Sequence, residues 1–253
     1  MGFKDHFSGH AGDYARARPS YPQELFEYLQ ANCECHEKVW DCGTGNGQAA
    51  LALAKYFKQV IATDASSSQI SEAPSASNVE FRVLAAEDPA LESSSFDLVT
   101  VAQALHWMDT DAFFRNADRV LKTDGRLAVW SYGLLKVNSY IDEIVGHLYE
   151  AILGDYWPEE RRMVEAEYAD IVFPFRQIQS RSFTMSLNWT LAELLDFLGS
   201  WSAVQRYKER NNADPLALVA DDLYVAWGDA ELREVKWSLI LKLCSGGIPA
   251  STV

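Results

Sequence analysis

Apolar residues recur along this chain in two rhythms, short near-continuous runs and segments of helical spacing, and the two alternate as far as about residue 131. Ser20 and Pro22 open a helix in which Leu25, Phe26 and Leu29 share one face. Lys38–Cys42 reads as a strand, residues 48–57 as an Ala/Leu-rich helix, and Gln59–Asp64 as a second strand. A short helix near Ser68 and a strand over 79–84 follow, then a β-branched strand at Phe96–Ala102. Asp109 or Thr110 caps a helix with Phe113, Ala117, Val120 and Leu121 on one face, closed by Lys122 and Gly125. Residues 126–131 make a fifth strand. Strands and helices in this order specify a mainly parallel sheet covered on both faces.

The rest of the chain is patterned differently. Residues 138–153 and the acidic stretch 159–169 are helical in pattern, and 171–185 reads as a strand region interrupted by Pro174. Thr190 and Glu193 form a capping box ahead of a face made by Leu191, Leu194, Leu195 and Leu198, and Gly199 ends that helix. Val235, Trp237, Leu239, Leu241 and Leu243 alternate with Lys236, Ser238, Ile240 and Lys242, the pattern of a half-buried strand. No crossover helix precedes this strand, so it is expected to run antiparallel at a sheet edge.

Length and composition narrow the class. The 253 residues, 48% hydrophobic and 23% charged, suit one large α/β domain or a core domain plus a cap. No apolar run approaches the ~18–20 residues of a membrane helix. The opening Met1-Gly2-Phe3-Lys4-Asp5-His6 lacks the order of a signal peptide, and His6 stands where a myristoylation signal needs Ser or Thr. A soluble, cytoplasmic protein is expected. The formal charge of −14 argues against nucleic-acid partners while leaving room for a local cationic pocket. Cys33, Cys35, Cys42 and Cys244 include no Cys-x-x-Cys pair, and Cys33, Cys35 and His36 do not complete a tetrahedral site. Reduced structural thiols and no metal are expected.

The chemically informative stretch is Asp41-Cys42-Gly43-Thr44-Gly45-Asn46-Gly47-Gln48, a strand running through three alternate glycines into a helix. Such glycines permit a tight turn and let a ligand approach main-chain atoms that a Cβ would block. Asp64 closes the next strand, where doubly wound folds keep an acid for a ribose diol. A dinucleotide fingerprint would need glycine at position 48, which is Gln, and a P-loop would need Gly-Lys-Ser/Thr. A hairpin turn at Asn46-Gly47 would need a period-two strand after it, whereas a helical composition follows.

The pattern Asp41-x-Gly43-x-Gly45-x-Gly47 resembles motif I of the class I, Rossmann-like S-adenosylmethionine-dependent methyltransferases. Three further segments fit in order: Asp64 with Ala65, then Ala86-Glu87-Asp88, then Gln103-Ala104-Leu105-His106-Trp107. The N-terminal Phe7-Ser8-x-x-Ala11-x-x-Tyr14-x-x-x-Arg18-Pro19-x-Tyr21-Pro22, with His106-Trp107 and Ser200-Trp201-Ser202, is similar to the trans-aconitate methyltransferase-like subgroup. The resemblance implies a mostly parallel seven-stranded sheet with helices on both faces, an antiparallel C-terminal edge strand and a helical cap insertion. It divides the chain into a lid and first helix (1–36), a cofactor-binding core (37–135), and a substrate cap with C-terminal strands completing the same domain (136–253). Residues 187–207 are the candidate cap over the site.

The resemblance also implies roles. The loop Asp41, Gly43, Thr44, Gly45 and Gly47 lies beneath the carboxypropyl part of S-adenosylmethionine, Asp64 and Ala65 meet its ribose, and Ala86 and Glu87 flank its adenine. Tyr14 and Arg18 lie near its amino-acid end and Gln103 lines its methyl end. His106 and Trp107 are the catalytic candidates, and Trp201, Arg206 and Tyr207 the acceptor candidates. The cofactor is itself an activated methyl donor, so the protein has to position the acceptor and exclude water. A carboxylate acceptor, with a pKa of ~4, needs no base, whereas an amine or phenol would favour His106 as one. Arg16, Arg18, Arg206 and Arg210 are candidates to hold a carboxylate, and Trp107, Trp189, Trp201 and Tyr207 could wall the methyl group. The expected activity is methyl transfer to a small molecule, with a carboxylic acid as the candidate acceptor; the oligomeric state is left open. Two alternatives remain: a non-catalytic S-adenosylmethionine-binding partner or regulator, and a nicotinamide-dependent reductase, against which Gln48 in the glycine loop counts.

Overall fold

A computed structural model describes residues 19–247. Tyr14, Arg16 and Arg18, and the lid expected over the first residues, lie outside that range. Helix α1 (Gln23–Ala31) buries Leu25, Phe26 and Leu29 as the spacing predicts. Strand β1 (Lys38–Cys42) and helix α2 (Gln48–Leu53) follow, then β2 (Gln59–Asp64), α3 (Ser67–Ser71), β3 (Val79–Val83) and β4 (Phe96–Ala102). Helix α4 (Thr110–Val120) leads into β5 (Leu121–Tyr132), and α5 (Ser139–His147) and the short α6 (Arg161–Glu165) lie beyond it. Edge strand β6 (Gln177–Trp189), helices α7 (Leu191–Gly199), α8 (Ser202–Asn211) and α9 (Ala220–Trp227), and β7 (Arg233–Ser245) complete the described residues.

The strands form one sheet in the order β3-β2-β1-β4-β5-β7-β6. β1 to β5 pair in parallel, and β7 runs antiparallel to both of its neighbours. This is a doubly wound, Rossmann-like sheet. Its order reverses between β1 and β4, so a crevice opens at the carboxyl ends of those two strands. β1 and β4 read as continuous apolar runs because both sheet faces are covered. On one face Val39, Leu98, Ala128 and Trp130 pack with α1, α2 and helices α5 and α7 to α9. On the other, Trp40, Ile61, Val99, Val101, Leu127 and Val129 meet Phe113, Phe114 and Ala117 of α4. The buried Trp40 indole N–H donates to the Thr63 hydroxyl at 2.9 Å, so its burial leaves no orphaned polar atom. Among the described residues no helix is long and apolar enough to cross a membrane.

The structure departs from the sequence reading in several places. β7 is antiparallel as expected, but β6 pairs along its far side and takes the outermost place. The helix after the glycine loop stops at Leu53, where a tight turn folds Phe57 into the core. α4 ends at Val120 because Leu121 turns extended and pairs beside Phe96, so β5 begins five residues early. The 138–153 region holds α5, capped by the Asn138 side chain, and then widens over Leu148–Ile152. Of the 159–169 stretch only Arg161–Glu165 is helical, and β6 begins at Gln177, three residues past Pro174.

Asp97 ties the amino edge of the sheet together. Its buried carboxylate accepts from the backbone N–H of Glu37 (2.8 Å) and Lys38 (2.9 Å) and from Lys122 Nζ (2.6 Å). Burial alone would raise this carboxyl, but the Lys122 ammonium and the two N–H groups outweigh it and hold the pKa below its ordinary value. Asp97→Ala is therefore expected to remove about 2–4 kcal/mol of stability at neutral pH. A depressed carboxylate pKa stabilises the fold above the unfolded-state value and stops doing so as pH falls through the folded one. The melting temperatures of wild type and variant should thus converge as pH falls below the ordinary carboxylate range; a gap that keeps its neutral-pH size throughout acid titration would contradict the assignment.

Candidate active site

All three loop glycines are left-handed, at φ +67° for Gly43, +57° for Gly45 and +88° for Gly47. Two of them are also forced by contact. A Cβ on Gly43 would lie 2.6 Å from the Ala104 Cβ and 2.9 Å from the Met108 Cε, and one on Gly47 would lie 2.7 Å from the Phe81 ring. At Gly45 the nearest atom would be Gln69 Oε1 at 3.6 Å, so this middle glycine leaves the main chain open to a ligand.

Asp41 sits wholly buried under the loop. Its two carboxylate oxygens accept from the hydroxyls of Thr44 and Thr100, each at 2.6 Å. Burial pushes its carboxyl up to about 6, and the nearby Asp64 charge adds to this, against the lowering effect of the Thr100 and Thr44 hydroxyls. Thr44 is itself buried, and its backbone N–H donates to the Thr63 carbonyl (2.9 Å), joining the loop to β2. Asp64 ends β2 at the crevice, oriented by the backbone N–H groups of Gly45 and Ser66, both at 2.9 Å. Ala65 follows it, half-buried.

Farther along the same edge, Ala86 is buried and its carbonyl accepts from Asn116 (2.8 Å). The Glu87 carboxylate accepts from the Asp109 N–H at the start of α4 (2.9 Å). Gln103 leaves β4 with φ +55°, held by its N–H to the Trp130 carbonyl and its Nε2 to the Tyr132 carbonyl, both 2.9 Å. Its Oε1 is buried and has no hydrogen-bond partner among the described residues. An orphaned acceptor beside a glycine loop and an oriented carboxylate fits a ligand with cationic and hydroxyl donors.

His106 is buried in the turn Leu105–Trp107, with its ring 4.7 Å from that of Trp107. Its Nδ1 lies 3.0 Å from the Tyr168 hydroxyl, in a hydrogen bond whose direction follows the imidazole tautomer. Tyr168 is held there by two successive left-handed residues, Glu167 (φ +52°) and Tyr168 (φ +56°). Conformations of this kind cost of order 1–3 kcal/mol each and persist where packing over-determines them. Reading 159–169 as a helix hid this contact.

The acceptor candidates gather on α8 and its N-terminus. Trp201 is buried with its ring 5.6 Å from Tyr149 and 5.5 Å from Trp157. Arg206 Nη1 donates to the Tyr156 carbonyl (3.3 Å), and the Tyr207 ring lies 4.9 Å from that of Tyr156. Trp189, by contrast, packs in the core against Phe197 and Trp237. A cavity of about 530 Å³ opens beside this group, lined by Gly133 and Leu134 after β5 and by Tyr149, Trp157, Arg161 and Val164 among others. Of these residues the sequence reading singled out none. The Trp157-Pro158 break between the stretches read as helical, 138–153 and 159–169, was the available signal.

A sheet of this order, with a glycine loop after β1 and an oriented acid after β2, defines an α/β protein that binds a nucleoside-bearing cofactor at its switch point. The methyltransferase-domain family matches residues 40–129. A Dictyostelium discoideum protein bearing a methyltransferase name is 35% identical over 249 residues, 95% of each chain. A Saccharomyces cerevisiae protein named as an S-adenosylmethionine-dependent methyltransferase is 32% identical over 128 residues, 47% of this chain and 44% of its own. A solved structure described as a type II methyltransferase from Anaeromyxobacter dehalogenans has a TM-score of 0.85 at 37% identity, covering 90% of this chain and 97% of that one. The chain belongs to the methyltransferase family and is an S-adenosylmethionine-dependent enzyme.

Proposed function

We propose that the enzyme methylates a small carboxylic acid on oxygen, as a member of the trans-aconitate methyltransferase-like subgroup. The observation that carries this reading is the cavity of about 530 Å³ lined by Gly133, Leu134, Tyr149, Trp157 and Arg161. His106, in the turn after β4, packs its ring with those of Trp107 and Tyr168, and the helix that carries Arg161 packs on the same turn. A cavity of this size on a chain of net charge −14 suits a small acceptor better than a polyanion.

S-Adenosylmethionine, when bound, supplies an electrophilic methyl group on a sulfonium. Gly43, Thr44, Gly45 and Gly47 cradle its amino-acid part, Asp64 and Ala65 take the ribose, and Ala86 and Glu87 border the adenine. The Gln103 Oε1 accepts from a cationic donor, and Asp41 adds negative potential from below. His106 and Trp107 shape the acceptor side, with Tyr168 fixing the imidazole, while Trp201, Arg206 and Tyr207 support the cap. A carboxylate is ionised at neutral pH, so orientation and exclusion of water suffice and no proton has to be removed.

Incubation with methyl-labelled S-adenosylmethionine and a metabolite extract tests the acceptor. The labelled product should gain one methyl group and lose it in mild alkali, as an ester does; an alkali-stable product or no product would overturn this reading.

The buried Asp41 makes a separate expectation. The unfolded chain ionises at this position near pH 4 and the folded one near 6, so the fold holds more protons between the two. Stability falls across that window and is level above it. Asp41→Asn is expected to raise stability at pH 8 by on the order of 3 kcal/mol and to have no such effect at pH 3.5. The same variant should bind S-adenosylhomocysteine more weakly and lack the decline in affinity expected of wild type below about pH 6. Melting scans and titrations at both pH values read this out; a variant less stable at pH 8 would contradict it.

A further inference from the structure

The cavity between the segment after β5 and helix α6 contains a guanidinium prepared for an anion. Arg161 is half-buried, and its Nε donates to the Tyr149 hydroxyl at 3.0 Å. Its charged group lies over the rings of Trp157 (5.3 Å) and Tyr149 (5.8 Å). Both rings are themselves fixed. The Tyr149 hydroxyl donates to Glu165 (2.5 Å), the Trp157 indole N–H donates to the Tyr149 carbonyl (3.0 Å), and Trp201 packs behind both. Among the described residues, the two terminal nitrogens of Arg161 have neither a hydrogen-bond nor an ion-pair partner. A side chain held at Nε and stacked on two rings has lost most of its rotamer freedom already, while its planar N–H fork remains unused.

We propose that Arg161 anchors the acid group of the methyl acceptor in this cavity, with Trp157, Leu134 and Val164 taking the acceptor's apolar body. The inference rests on the reading of a carboxylic acid acceptor and gives that acceptor a site. A carboxylate matches the paired terminal N–H groups with two parallel hydrogen bonds. Glu150, Glu159 and Glu165 line the cavity against Arg161 and Arg162, so a single negative charge is favoured over the double charge of a phosphate monoester. The cavity also adjoins the chemistry. α6 packs on the Leu105–Trp107 turn, and Tyr168, whose hydroxyl meets His106, lies within the field of the Arg161 charge. Its volume of about 530 Å³ falls within the range of small-molecule sites.

The test uses the complex with S-adenosylhomocysteine and three probes, benzoate, hexanoate and 3-phenylpropionate, each paired with its primary amide. At least one acid should bind wild type about tenfold or more tightly than its amide. Arg161→Gln should bring acid and amide to equal affinity, and Arg161→Lys should keep only part of the preference, with a cooperative melting transition and unchanged S-adenosylhomocysteine affinity in both. No preference for any acid in wild type, or an undiminished preference in Arg161→Gln, would overturn the proposal. An ester product formed with an unchanged acceptor KM in Arg161→Gln would remove the anchor and leave the acceptor class standing. An Arg161-dependent acid preference in an enzyme whose labelled product is not an ester would do the reverse.

Discussion

Replacing Gly43 with Ala should cut affinity for S-adenosylhomocysteine by at least about a hundredfold and lower stability by about 2–4 kcal/mol. The left-handed backbone at this position costs any L-residue of order 1–2 kcal/mol. The new Cβ would also lie 2.6 Å from the Ala104 Cβ, a methyl fixed directly to the backbone and unable to swing aside. The loop would have to lift. Lifting it strains the Thr44 contacts with Asp41 and the Thr63 carbonyl, which hold the cradle against β2. Gly45→Ala makes the control for the fold, because its Cβ meets only Gln69 Oε1 at 3.6 Å, and its stability loss should stay near 1 kcal/mol. Thermal melts and calorimetric titration of the two variants read both effects. Equal stability losses would show that the contact with Ala104 does not constrain the loop.

The second large effect is expected at Asp64. An anionic acceptor contributes about 1.5–3 kcal/mol for each hydrogen bond it makes, so losing two ribose hydroxyls corresponds to roughly a hundredfold or more in affinity. Asp64→Ala should therefore bind S-adenosylhomocysteine ~100-fold more weakly or worse. It should stay folded, because the Gly45 and Ser66 N–H groups it releases lie at a part-buried edge. Asp64→Asn is not expected to rescue binding. One amide oxygen cannot accept from both N–H groups, and the amide NH₂ would face one of them. An affinity within twofold of wild type in Asp64→Ala would contradict the ribose assignment.

Much of the fold was legible because the sheet is buried on both faces. Lys38–Cys42, Gln59–Asp64 and Phe96–Ala102 have the bounds their apolar runs suggest, and the glycine loop stands between the strand and helix that its spacing requires. The place of β7 was not legible. Alternation from Val235 to Leu243 says that one face is buried, but it carries nothing about which strands bond to the two backbone edges. Leu121 went astray for a related reason: its apolar side chain suits the end of α4 as well as the first pair of β5, and the Phe96 pairing decides it.

The site divides along the same line. Asp41, Gly43, Asp64 and Gln103 are close to one another through the strand ends of one parallel sheet, an arrangement the topology dictates. Tyr168 and Arg161 reach His106 and the cavity through a strained turn and a five-residue helix, set by packing between segments far apart in sequence. Asp41 shows a third case. Its position was readable, but its commitment to two threonine hydroxyls and its high pKa arise only on burial.

The most direct measurement is a crystal structure of the complex with S-adenosylhomocysteine. Both ribose hydroxyls should lie about 2.6–3.0 Å from the Asp64 carboxylate, with the amino-acid part over Gly43 to Gly45 and its ammonium near Gln103 Oε1. A nucleoside bound elsewhere on the molecule, or a ribose turned away from Asp64 with the glycine loop untouched, would contradict the assignment.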